Sequence, residues 1–283
     1  MRLVLDLFKL RIGFAIALTA WAGAMVAPGA AGAGTVTAIV LAVLVASAAA
    51  GAFNQYVEAD LDRHMARTRG RAFATGRLTK HGGWLALIGL LCGGATAAAA
   101  WLVNPAAALY TFLGAFFYGV VYTVWLKRRT WMNIVVGGVA GSFAVLAGAA
   151  AASPEAALAP LPLAFAWILF LWTPPHFWSL AIVCRDDYAR AGVPMLPVVK
   201  GEAAASRAVF AGTVLLVASS FIPVALGMGA VYAAGAGAGG ALFLRASWIL
   251  SRHPGKEAAR SSFRASLAQL GLLLLAAIAD RVL

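Results

Sequence analysis

Residues 12–53 form a run of 42 positions without an aspartate, glutamate, lysine or arginine, and 82–126 and 208–244 are further charge-free runs. A membrane-crossing helix needs about 20 apolar residues, so each run can supply two. A soluble fold would have to bury nearly all of this surface. Charged residues make up 11% of the chain, against about 25% in soluble domains, which leaves too little polar surface to cover such a core. These features predict an all-α polytopic membrane protein. The pattern gives about nine transmembrane helices, at 10–27, 35–57, 83–102, 106–126, 132–152, 159–184, 206–227, 230–250 and 263–281. The internal loops are short and no 20–50-residue repeat stands out, so residues 1–283 read as a single transmembrane domain.

The basic residues test this count. Of the 22 lysines and arginines, all but Arg281 fall on one side: Arg2, Lys9 and Arg11 in the tail, then those of 63–80, 127–129, 185–207 and 245–264. Loops rich in Lys and Arg mark the cytoplasmic face, so the N-terminus is expected inside and the C-terminus outside. Topology thus accounts for the net charge of +12, and its dispersal over membrane-proximal loops argues against a nucleic-acid partner. The first span and the following APGAAGAG imitate a cleaved signal peptide, but later spans look the same. Cys92 and Cys184 lack metal-type spacing and read as small apolar residues. AAGAGAGGA at 233–241 is expected to allow close helix approach and to contain a short external turn.

Against this background, NQYVEADLDRHMARTRGR at 54–71 gathers acids first and arginines second. Asn54, Glu58 and Asp62 are spaced i, i+4, i+8, so they drift by only about 40° per step and share a helix face, with Asp60 near the opposite face. Hard oxygen ligands suit Mg²⁺, especially where substrate phosphates complete its shell. The competing reading is a solvated helix end where acids meet snorkelling arginines. Arg67 and Arg71, with a turn expected at Gly70, favour the first, because guanidinium forks bind phosphate bidentately.

Two further segments carry chemistry. CRDDYARAGVPMLPVVKG at 184–201 lies on the same side and offers Asp186 and Asp187, either to a shared cavity or to solvent; Pro194 and Pro197 are expected to hold VPMLPVV extended. In LFLWTPPHFWSLAI at 169–182, Pro174–Pro175 are expected to break or bend the span, which is tolerated where a helix lines a cavity. His176, among Trp172, Phe177 and Trp178, reads either as an interhelical hydrogen bonder or as a contact for a broad aromatic ligand or its metal.

At these residues the sequence resembles the UbiA superfamily of intramembrane prenyltransferases and, within it, the protoheme IX farnesyltransferase (heme O synthase) family. Segment 54–71, VYTVWLKRRTWMNIVVGG, WTPPHFWSLAI and DDYARAGVPMLPVVKG carry the resemblance, in family order. It implies helices ringed around a central cavity, with Mg²⁺-diphosphate near the cytoplasmic mouth. It also implies a reaction in which farnesyl diphosphate, protoheme IX and water give heme O and diphosphate. Carried over, Asn54, Glu58, Asp62 and Asp187 are metal ligands, and Asp62, Arg67, Arg71 and Lys127 are catalytic. Arg67, Arg71, Lys127, His176, Tyr188 and Lys200 bind substrate. The resemblance further implies the bacterial plasma membrane, and heme A synthase or a terminal oxidase as a partner. Glu58 stands where many relatives have Asp; Leu10, Ala72, Trp131 and Met132 also depart from the family pattern. Two rival classes are a relative that prenylates phenolic or quinone precursors, against which PPHFW speaks, and a non-catalytic heme-binding protein or transporter. Against the latter stands the gathering of acids and arginines at one membrane face.

Overall fold

The computed structural model describes residues 2–283, except for the side chains of Arg2 and Val4; any role of the Arg2 charge therefore lies outside the described side chains. Among the described residues the ordered elements are all helical. A short α1 (Arg2–Leu7) turns at Lys9 into α2 (Leu10–Val26), and α3 (Ala33–Val57) returns to the same end and continues as α4 (Ala59–His64). Then come α5 (Gly82–Leu102) and α6 (Pro105–Phe116), the latter passing directly into a π-helix, Phe117–Leu126. Next are α7 (Asn133–Gly137), α8 (Val139–Ala149), α9 (Pro160–Val183), α10 (Arg185–Arg190) and α11 (Leu196–Val199). The chain finishes with α12 (Glu202–Ser219), α13 (Ile222–Ala225), α14 (Ala230–Arg252) and α15 (Lys256–Val282).

Seven helices are long and apolar enough to cross a membrane: Ala33–Val57, Gly82–Leu102, Pro105–Leu126, Pro160–Val183, Glu202–Ala225, Ala230–Arg252 and Lys256–Val282. The other two expected spans coincide with the shorter apolar helices Leu10–Val26 and Asn133–Ala149. The 17 residues of α2 reach only about 26 Å at 1.5 Å per residue, slightly less than the roughly 30 Å hydrocarbon core.

Neighbour packing forms a circuit. Helix α2 packs on α3 and α8, α3 on α5, α5 on α6, and α6 on α8; α8 packs on α9, α9 on α12 and α15, α12 on α14, and α14 on α15, which returns to α2. Small residues set the closest crossings, as expected where van der Waals packing drives association. A Cβ at Gly148 would stand 1.8 Å from Ala20 O, and one at Gly23 2.2 Å from Val145 O, so α2 and α8 meet backbone to backbone. Helix starts carry local signals too. Asn104 Oδ1 accepts from Ala107 N at 2.8 Å while its Nδ2 donates to Ala150 O at 2.7 Å, with Pro105 in the first turn, where its missing N–H costs nothing.

Three local expectations change. The span around Pro174–Pro175 does not break: α9 is continuous from Pro160 to Val183. Pro175 packs on α12 at Gly212, and one turn on in α9 Ser179 Oγ donates to its carbonyl at 2.7 Å. VPMLPVV is extended only over 193–195 and then closes the single helical turn α11, with Pro197 near its start, where a proline is tolerated. No turn occurs within 233–241. The turn lies earlier, before Ala230, and the glycines serve packing alone: a Cβ on Gly235 would meet Ala276 Cβ at 2.4 Å, and one on Gly240 would meet Val217 Cγ1 at 2.8 Å.

Candidate active site

The acid ladder survives the junction between α3 and α4. Glu58 sits between them, yet Glu58 N donates to Asn54 O at 2.9 Å and Asp62 N to Glu58 O at 2.8 Å, so helical phase is kept across all three positions. Asn54, Glu58 and Asp62 are buried to 2%, 1% and 0% exposure. Asp60 points the other way, to an exposed ion pair with Arg128 at 2.8 Å; Arg128 thereby holds its carboxyl below the usual carboxylate range.

Each buried member of the ladder holds one cation. Lys9 Nζ donates to Asn54 Oδ1 at 2.5 Å, Lys127 Nζ to Glu58 Oε2 at 2.6 Å, and Arg71 Nη1 to both oxygens of Asp62 at 2.9 Å. Asn54 is anchored further through Nδ2 to Thr123 Oγ1, 3.0 Å. Lys9 also donates to the Tyr118 hydroxyl at 2.9 Å. Three cations thus surround two carboxylates at one end of the bundle, an arrangement that carries an excess positive charge and draws anions.

The π-helix makes Lys127 available. Its i→i+5 register brings residues five apart into line: Thr123 Oγ1 donates to Tyr118 O at 2.8 Å, and Lys127 N to Tyr122 O at 2.9 Å. Tyr118, Tyr122, Thr123 and Lys127 therefore share the inner surface, whereas α-helical spacing would turn Lys127 away from Tyr118 by about half a turn. Gly137 gives room for the Tyr122 ring, which a Cβ there would approach to 2.8 Å.

The second acidic segment meets the first. Arg67 N donates to Asp187 Oδ2 at 3.5 Å, and the Arg67 guanidinium lies beside Tyr188, Cys184 and Asp62. Asp187 also pairs with Arg190. Tyr188 is buried to 1%. Asp186 faces outward and pairs with Lys256 at 2.7 Å. Lys200 is exposed and makes no side-chain hydrogen bond or ion pair among the described residues. The turn expected at Gly70 is present: residues 66–70 are turns, and Arg71 N donates to Thr68 O at 2.9 Å.

His176 lies apart from this cluster, eight residues before Cys184 on α9, or roughly 12 Å deeper at 1.5 Å per residue. Its ring stacks between Trp172 (4.0 Å between centroids) and Phe263 (4.7 Å). Ser266 Oγ lies 2.6 Å from both Phe263 O and His176 Nδ1; with the serine proton on that carbonyl, Nδ1–H donates to Oγ. In that tautomer Nε2 keeps a lone pair. An unbroken aromatic series joins the two regions: Tyr118 stacks on Tyr122 (5.8 Å), Tyr122 meets Phe177 edge-on (6.4 Å), and Phe177 meets His176 (6.0 Å).

A hard divalent cation fits the ladder's donor set. The donors are all oxygens, with both Glu58 carboxylate oxygens 2.6 Å from Lys127 Nζ. Among the described residues no three His, Cys, Asp or Glu side chains converge as a metal cage. Asn54, Glu58 and Asp62 would therefore need oxygens from a phosphate-bearing substrate to complete a shell, the usual arrangement for Mg²⁺.

Residues 15–268 match the UbiA prenyltransferase family. The chain belongs to the UbiA prenyltransferase family. Protoheme IX farnesyltransferase 2 of Paramagnetospirillum magneticum (strain ATCC 700264 / AMB-1) is 53% identical over 285 residues, covering 100% of this chain and 98% of that one. Within the UbiA family the chain is thus grouped with the protoheme IX farnesyltransferases, as an integral membrane prenyltransferase. The fold agrees with a solved digeranylgeranylglyceryl phosphate synthase at a TM-score of 0.80 and 17% identity, covering 99% and 98% of the two chains. It also agrees with a UbiA homolog from Archaeoglobus fulgidus bound to DMAPP and Mg²⁺, at a TM-score of 0.69 and 16% identity over 98% and 99%.

Sequence reasoning missed Lys9, Tyr118, Tyr122, Thr123, Phe263 and Ser266. Lys9 was legible only as a topological charge. The tyrosines and Thr123 lie in a charge-free run whose π register no α-helical periodicity discloses. Phe263 and Ser266 sit on the last helix, far from any motif.

Proposed function

We propose that the protein transfers the farnesyl group of farnesyl diphosphate to a vinyl group of protoheme IX, with addition of water, to give heme O and diphosphate. The whole chain, 1–283, acts as one catalytic unit in the bacterial plasma membrane, with the cation-rich end toward the cytoplasm. The observation that carries this reading is the aromatic series linking a buried cation cluster to a histidine with a free Nε2 lone pair. A prenyl diphosphate needs cations at one end and an apolar path beyond it, and a flat acceptor needs stacking faces. The relatives named protoheme IX farnesyltransferases support the choice of acceptor. The Mg²⁺ in the Archaeoglobus fulgidus homolog supports the choice of metal.

In this mechanism Lys127, Arg71 and Arg67 stabilise the negative charge that builds on departing diphosphate as the allylic C–O bond breaks and its electron pair leaves with oxygen. Asn54, Glu58 and Asp62 would hold Mg²⁺, which when bound would supply Lewis-acid stabilisation of the same charge. Tyr118, Tyr122 and Phe177 offer ring faces to the allylic cation and keep water from it. The vinyl electrons form the new C–C bond, and water adds to the resulting cation with loss of a proton. His176 holds the acceptor through Nε2, with Trp172 and Phe263 fixing the ring. Asp187 and Tyr188 hold Arg67 in place, and Lys200 supplies a further positive charge at the rim.

Incubating purified protein with protoheme, labelled farnesyl diphosphate and Mg²⁺, with product mass analysis, tests the reading. Hydroxyfarnesylated heme supports it; label appearing only on a phenolic acceptor overturns the assigned acceptor. His176→Ala should weaken protoheme binding, read by spectral titration, by about tenfold or more while leaving farnesyl diphosphate binding intact. Equal loss of both would instead make His176 a structural residue.

A further inference from the structure

Lys9, in the Lys9–Leu10–Arg11 stretch where the family pattern has Lys-Pro-Arg, reads from the sequence only as a topological charge, yet the chain is shaped to deliver it into the cluster. Among the described residues it is the one non-glycine position with positive φ, at 48°, a conformation that L-residues rarely adopt and that clusters at functional sites. One stretch of α3 builds this elbow. Gln55 Nε2 donates to Asp6 O at 2.5 Å and to Leu7 O at 3.2 Å. Gly51 supplies room, since a Cβ there would stand 3.2 Å from Phe8 O and 3.3 Å from Lys9 Cβ. Asn54 then receives the ammonium at 2.5 Å, and Tyr118 takes a second bond at 2.9 Å. A lysine serving only membrane orientation needs none of this, because any exposed position in the tail would do.

We propose that Lys9 is a binding residue for the diphosphate, and that its ammonium passes between Asn54 Oδ1 and the diphosphate, so that the anion's arrival frees Asn54 to face the metal. This rests on the prenyl-transfer reading above. Lys127 on Glu58 and Arg71 on Asp62 repeat the arrangement, one cation to each oxygen-bearing side chain of the ladder. A divalent cation arriving first meets three positive charges and an occupied Asn54. A diphosphate arriving first draws those charges toward itself. The two ligands therefore favour each other's binding, and the coupling is reciprocal.

The test uses the full chain in detergent and measures Mn²⁺ alone by electron paramagnetic resonance, and farnesyl diphosphate alone in EDTA by calorimetry. Lys9→Met should bind Mn²⁺ about tenfold more tightly than the unaltered protein and farnesyl diphosphate about tenfold more weakly, the scale of an ordinary coupling between sites. Lys9→Arg, which keeps the charge, should retain diphosphate binding. In an Asn54→Ala background the gain in Mn²⁺ affinity from Lys9→Met should vanish, since no oxygen is left to free. A gain that persists there would reduce Lys9 to a bulk charge and overturn the exchange. So would Lys9→Met constants that are unchanged or that move in the same direction. If the unaltered protein binds no farnesyl diphosphate with or without Mg²⁺, the prenyl-transfer reading itself falls, a result distinct from failure of the Lys9 variants alone.

Discussion

Segments 54–71 and 184–201 look alike on paper, each an acidic helix end followed by arginine, but they occupy opposite environments. Glu58 and Asp62 are buried to 1% and 0%, whereas the side chain of Asp186 is 59% exposed and that of Asp187 14%. The difference lies in which positions face inward. Helical phase runs unbroken from Asn54 through Asp62, carrying all three side chains inward. The α9–α10 junction keeps phase in the same way, with Cys184 N donating to Leu180 O and Tyr188 N to Cys184 O, both at 3.0 Å. Tyr188 takes the inward position there, and Asp186, two residues off that face, meets solvent as Asp60 does. Charge density alone therefore does not mark a working acid; its position on the inward face of the helix does.

The largest effect should come from within the buried ladder. Asp62→Asn keeps an acceptor for Arg71 but removes the charge, and turnover should fall by about 10²–10³ or more, the scale seen on removing one charge-stabilising group. Inserted, monodisperse protein on size exclusion beside the activity assay separates this from misfolding. Near-normal turnover would erase the contrast between the two segments.

Where the segments touch, effects should be intermediate. Arg67→Lys keeps the charge but loses the planar fork beside Tyr188, so turnover should fall by about tenfold, the scale of one charge-assisted hydrogen bond. Equal rates for Lys and Arg would leave Arg67 as a topological charge.

The smallest effects should come from the exposed acids. Asp186→Asn breaks only the solvent-exposed pair with Lys256, and turnover and thermal unfolding should stay unchanged. Asp60→Asn breaks the exposed pair with Arg128 and should cost about 0.5 kcal/mol or less, checked by chemical denaturation at two salt concentrations. Marked loss of activity in either variant would show that the exposed acids also work in the site.

What the sequence disclosed follows from the same contrast. Charge-free runs and the spacing of Asn54, Glu58 and Asp62 were legible because bilayer solvation and α-helical period act locally. The preference for Asp187 over Asp186 came from family resemblance, and the bond from Arg67 N agrees with it. Of the break or bend expected at Pro174–Pro175, the break does not occur, since α9 runs through both prolines with Pro175 packed on α12 at Gly212. Lys9 stayed hidden because its place depends on Gly51 and Gln55, more than forty positions away.

The passage from α6 into the π-helix at Phe117 divides one rod into two independently indexed halves. The outer half presents Ala108 and Thr111 inward, and the inner half presents Tyr122, Thr123 and Lys127. A return to α-helical register over 117–126 would turn Lys127 about half a turn away from Tyr118. The rod works as a vernier: its inner scale is set by the chemistry and its outer scale by the bilayer-spanning frame.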